Sequence, residues 1–92
     1  MLDTNDLVVH LSPEIGALQR LLNTLRRRGF AVDSMDARRL DDDGYRVEVR
    51  VDNLRGGSRS VEALAKHIGN LVDVRSVSVL GSALRQVHAY GR

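Results

Sequence analysis

Few residues in this chain have the types and spacing that chemistry requires. His10, His67 and His88 lie far apart in sequence and share no ligand spacing. His10 alternates with apolar neighbours, so it reads as facing the exposed side of a sheet rather than a metal. His67 falls off the apolar stripe of its helix and reads as solvated. Cysteine is absent, which excludes disulfides, thiolate zinc sites and thiol nucleophiles. Paired carboxylates occur only in the acidic turn "DDDG" (Asp41 to Gly44), where a solvated loop is the ordinary reading. No serine, histidine and carboxylate form a nucleophile-and-base arrangement. The expectation is therefore no catalytic residue, no metal ligand and no cofactor on this chain, which is not read as an enzyme.

The arginine triplet Arg26, Arg27 and Arg28 could in principle grip phosphate. Consecutive helical residues point in different directions, however, and cations in a last helical turn complement the helix dipole. One stretch remains, "VVHLSPEIGALQRLL" from Val8 to Leu22. An apolar run stops at Ser12-Pro13, a helical pattern begins, and Gly16 is read just inside that helix. Glycine there costs roughly 1 kcal/mol relative to alanine. A helix start with free N–H groups attracts carboxylates, and a missing side chain lets a ligand or another backbone come close. Close packing of the helix on the sheet also explains Gly16, and from the residues alone it is the slightly favoured of the two readings.

The elements that must position this stretch follow from periodicity. Leu7, Val9 and Leu11 alternate with Val8 and His10 as a strand buried on one face. Ser12 is expected as N-cap and Pro13 as the first helical residue. Ile15, Leu18, Leu21, Leu22 and Leu25 then share a stripe that ends at Gly29, a natural residue for stopping a helix. Residues 30 to 51 read as a hairpin turning at "DDDG". Its first strand alternates poorly, as an edge strand or one with a bulge near Ser34 would. Its second strand alternates cleanly through Tyr45, Val47, Val49 and Val51. After a loop rich in breakers, Ser58 or Ser60 can cap a second helix with Val61, Leu64, Ile68 and Leu71 on its stripe. Residues 72–80, with Val77 and Val79 alternating, read as a last strand.

The order β-α-β-β-α-β predicts an α+β ferredoxin-like sandwich: one antiparallel four-stranded sheet in the order 4-1-3-2, with two helices on one face. Residues 1–80 form this domain, and residues 81–92 read as a flexible tail. The composition agrees: of 92 residues, 42% are hydrophobic and 28% charged, with a net charge of +2. No apolar run approaches the ~18 residues that span a bilayer, and the acidic start "MLDTNDLVV" lacks the layout of a signal peptide. The expected setting is cytoplasmic, with no membrane partner. Nor is nucleic acid expected, because the strands that would stack bases carry Tyr45 alone.

Gly16 after the first strand and "RRRGFAVDSM" entering the second resemble an ACT domain, the small-molecule-sensing module of amino-acid metabolism. More narrowly, "GALQRLLNTLRRRGFAVDSM" (Gly16 to Met35) and "RSVEALAKHIGNLVDVRSVSVL" (Arg59 to Leu80) are similar to the small regulatory subunit of acetohydroxyacid synthase, also called acetolactate synthase. The short form associated with isozyme II is the nearest in kind. The resemblance implies a regulatory and activating role in branched-chain amino-acid (isoleucine, valine and leucine) biosynthesis. The partner would be a catalytic large subunit that carries thiamine diphosphate and joins pyruvate units. It also implies a homodimer through strand 30–40 and an effector site at Pro13, Gly16, Ala17, Ala31 and Val32. Relatives that bind valine well usually place an asparagine where Pro13 stands, and often another at Ala31. Proline offers neither a side-chain amide nor a backbone donor, so the implied site is vestigial and any branched-chain amino acid would bind weakly. The alternative reading is a stand-alone ACT domain that senses an amino acid.

Overall fold

The structure, a computed structural model, describes residues 4–14, 16–41, 44–54 and 61–82. The chain runs β1 (Thr4–Leu11), α1 (Ala17–Arg27), β2 (Phe30–Arg39), β3 (Tyr45–Asn53), α2 (Val61–Gly69) and β4 (Val74–Ser82). The strands form one antiparallel sheet in the order β2-β3-β1-β4. This is the expected ferredoxin-like sandwich, with β2 and β4 as its borders. The segment 81–92, expected as a tail, contributes its first two residues to the end of β4; the rest lies outside the described residues.

The apolar alternation of β1 places Leu7, Val9 and Leu11 on the face toward the helices, all fully buried. β3 matches it rung for rung, with Leu7 opposite Val49 and Val9 opposite Val47. Leu21 and Leu25 of α1 and Leu64 and Ile68 of α2 close over these strands to make one core. Each such side chain contributes about 1.5–3 kcal/mol by leaving water. The opposite face carries Asp6, Val8 and His10 of β1, and Arg46, Glu48 and Arg50 of β3. Arg50 clasps Asp6 through two bonds of 2.8 and 3.2 Å, Arg38 reaches Asp36 at 3.3 Å, and Arg46 pairs with Glu48. A mesh of ion pairs thus covers the side of the sheet that no helix covers.

The poor alternation of β2 has a single cause. The register slips between Val32 and Ser34, so one extra residue enters opposite β3. The slip regroups the side chains expected from strict alternation. Phe30, Val32, Met35 and Ala37 share the helix side, opposite Asn53, Val51, Val49 and Val47. Ala31, Ser34, Asp36 and Arg38 share the other. Of residues 33–39 all but Met35 are exposed, as suits a border strand.

Helix α1 begins later than expected. Ser12 and Pro13 do not start it; Gly16 is its N-cap, with φ −87° and ψ 0° and no capping side chain. Two constraints hold Ser12 out of the helix. A residue before proline is pushed toward extended backbone, and the Ser12 N–H donates to the Asp73 carbonyl at 2.8 Å. The far end of α1 is as expected: Gly29 takes φ 87° and stops it. His67, expected in solvent, is half-buried; Arg28 Nη2 lies 2.9 Å from its Nε2 and 3.1 Å from its Nδ1, linking the two helices. The last arginine of the triplet is thus engaged by α2, while Arg26 and Arg27 stay exposed. Residues 71–73 form a turn before β4, and Val72, expected in the last strand, is 93% exposed there. The proposed caps Ser58 and Ser60 lie outside the described residues.

Gly44 holds the hairpin turn against β1. Its φ is 97°, and a Cβ there would lie 1.9 Å from the Leu11 carbonyl oxygen. The variant Gly44→Ala should lose at least about 1–3 kcal/mol from backbone strain alone, seen as a lower urea midpoint with an unchanged slope.

Candidate functional site

The implied effector residues fall into two groups. Pro13, Gly16 and Ala17 surround the start of α1; Ala31 and Val32 open β2, just past its end. Helix α1 has 11 residues, so about 16 Å of helix separates the groups. One protomer does not bring the five together.

At the first group, Pro13 and Glu14 are exposed, Gly16 is half-buried, and the Ala17 methyl lies in the core. The loop is stitched by the Ala17 N–H donating to the Glu14 carbonyl at 3.1 Å and the Arg20 N–H donating to the Gly16 carbonyl at 2.9 Å. What comes close to Gly16 is the chain's own Arg20. A Cβ at position 16 would lie 2.7 Å from Arg20 Nη1 and 3.1 Å from its Cζ. Arg20 in turn donates from Nε to the Asp73 carboxylate. That hydrogen bond raises the arginine's pKa above its ordinary value, with partial burial opposing, so Arg20 stays charged. The Ser12 hydroxyl oxygen is buried beside this loop without a hydrogen-bond partner.

The second group lines a groove of about 560 Å³ between α1 and β2. Gln19, Asn23 and Arg26 supply its polar atoms, and Leu22, Phe30, Val32 and Leu54 its apolar ones. Val32 is 38% exposed and Leu54 67% exposed. The volume is in the range of small-ligand pockets. No asparagine stands at the β2 entry, where Ala31 offers only its backbone, but Asn23 supplies an amide one helical turn away from Gln19.

Among the described residues no cluster of three His, Asp or Glu could hold a metal ion, and no helix is long and apolar enough to cross a membrane. Sequence reasoning missed Arg20 and Asp73. Their signals were present: Arg20 stands one helical turn after Gly16, and Asp73 is the lone acid in the apolar run "LVDV".

A family model for the ACT domain matches residues 13–77. The chain belongs to the ACT domain family. No curated protein matches it by sequence. Solved structures share the fold. The ACT domain of GTP pyrophosphokinase from Chlorobium tepidum superposes with a TM-score of 0.70 at 8% identity, covering 87% of this chain and 100% of that one. The C-terminal domain of the MgtC protein from Mycobacterium tuberculosis superposes at 0.69 with 12% identity, covering 88% of each chain. ACT domains are regulatory modules rather than catalysts.

In this ACT domain the role of Gly16 fixes the sign of a mutational effect. Inside a helix, glycine to alanine would stabilise. At an N-cap whose open face is filled by a guanidinium, Gly16→Ala should instead cost about 1 kcal/mol and push Arg20 off the loop. Thermal unfolding of the variant gives the sign directly.

Proposed function

We propose that this ACT domain is a non-catalytic regulatory and activating small subunit of acetohydroxyacid synthase in the cytoplasm. It binds the thiamine-diphosphate-dependent large subunit and favours its active form. The reading is carried by the two stretches Gly16 to Met35 and Arg59 to Leu80, which resemble that subunit and span α1, the entry of β2, α2 and β4. The large subunit can be engaged by the ion-paired sheet face, by α2 or by the C-terminal tail.

The homodimer belongs to the same proposal. β2 is a border strand with unpaired backbone groups on its outer side. It runs antiparallel to α1 after the tight turn at Gly29. Two copies joined antiparallel along β2 therefore bring the entry of one β2, at Ala31 and Val32, toward the α1 start of the other, at Gly16. The division of the implied effector residues between the ends of α1 supports such a pairing, because it makes each site a joint product of two chains.

Pro13 and Ala31 stand where polar anchors would. Each hydrogen bond lost to a charged ligand costs about 1.5–3 kcal/mol, at least tenfold in affinity. The groove beside Ala31 and Val32 favours a second reading, an ACT domain that senses an amino acid with no dedicated synthase.

Co-purification with a large subunit, followed by its turnover with and without this chain, tests the leading proposal. Bound large subunit with raised turnover is the expected result. Failure to bind, with calorimetric binding of a branched-chain amino acid to the chain alone, would select the second reading. In the reconstituted enzyme valine should inhibit weakly or not at all; strong inhibition at micromolar valine would contradict the vestigial site.

A further inference from the structure

We propose that Asp73 is a positioning residue for the β1–α1 loop, gripping it on both sides of Gly16 and tying it to the entry of β4. The inference rests on the reading of that loop as an effector site. The Asp73 backbone carbonyl accepts from the Ser12 N–H at 2.8 Å. Its side-chain carboxylate accepts from Arg20 Nε. Ser12 and Arg20 lie four residues before and four residues after Gly16, so a single distant residue holds both flanks of the loop. Asp73 itself stands directly before Val74, the first residue of β4.

The two partners of the ion pair are not equivalent. Asp73 is 6% exposed, whereas the Arg20 side chain is 54% exposed. A buried carboxylate needs its counter-charge; a half-exposed guanidinium can return to water. Asp73 is thus the fixed member and Arg20 the held one, and the place where Arg20 is held is over Gly16, within 3.2 Å of where a Cβ would stand. Without the carboxylate the guanidinium swings outward, uncovers Gly16 and releases the C-terminal flank of the loop, while the bond to Ser12 remains. Conversely, a ligand that moves Arg20 acts on Asp73 and so on the start of a border strand, which gives the site a physical route to the edge of the sheet.

Heteronuclear NMR of the full chain tests the grip. In the wild type the Arg20 Nε–H should give a separate, exchange-protected cross-peak. In Asp73→Ala that peak should be lost and the Gly16 and Ala17 amides should shift, while those of Val49 and Ile68 stay in place. Arg20→Gln should move the same loop amides, and the double variant should add nothing beyond Asp73→Ala. Arg20→Gln carries the same prediction should Asp73→Ala not fold. Loop amides that stay put in both variants, or shifts spread equally to Val49 and Ile68, would overturn the proposal. Millimolar valine then separates the two readings. The wild-type Gly16 and Ala17 amides should respond, and Asp73→Ala should need at least tenfold more valine. Equal responses in both proteins would overturn the positioning role. No response in the wild type would overturn the effector reading alone, since the spectra without valine still decide the grip.

Discussion

The alternation of Leu7, Val9 and Leu11 along the inner strand is the constraint that the rest of the fold obeys. β1 is hydrogen-bonded on both sides, to β3 and to β4, and its buried side chains all face the helices. A shift of one residue along the unbroken ladder to β3 would turn a whole strand's apolar set toward water, whereas the ladder to β4 absorbs slips at its two ends, beside Leu7 and Leu11. The clean alternation of Val47, Val49 and Val51 leaves β3 one choice of face. The two helices then have one surface on which to bury Leu21, Leu25, Leu64 and Ile68. With that surface filled, the other side of the sheet is left to Asp6, Glu48, Arg46 and Arg50, which satisfy one another across the strands and along them.

The same constraint decides where the surface is left open. The interior is closed, and it is built from Leu, Val and Ile with Phe30 as its only phenylalanine. Among the described residues, the larger opening is the groove between α1 and β2, and a smaller hollow lies between Asp6, Ser34 and Arg50 on the sheet. The groove combines the apolar Leu22, Phe30, Val32 and Leu54 with the polar Gln19, Asn23 and Arg26. The loop at Gly16 owes its shape to a contact fifty-three residues away in sequence, between Arg20 and Asp73, so its form reports on the packing of the whole domain.

Much of this was legible in the sequence. Apolar periods of two and of three to four residues mark the strands and helices, and Gly29 and Gly44 mark turns that do take positive φ. The border position and bulge of β2 were visible as spoiled alternation at Val32 and Ser34. What escaped reading depends on contacts between distant residues. Ser12-Pro13 has good chemistry for a helix start, but Ser12 is drawn into a bond with Asp73, and the helix begins at Gly16. Periodicity assigns His67 to solvent because it cannot see Arg28 arriving from the other helix. The meaning of Gly16 was open for the same reason: only the folded chain shows that the group beside it is Arg20.

The distal half of β2 has a further consequence. From Asp33 to Arg39 the strand is bathed by solvent on both sides apart from Met35, so little besides its ladder with β3 holds its alignment. A ribbon of that kind tolerates sliding by an even number of residues far better than the inner strands do. For an exposed ribbon the choice among such alignments falls to the bulge between Val32 and Ser34 and to Phe30 and Met35, which anchor it to the core.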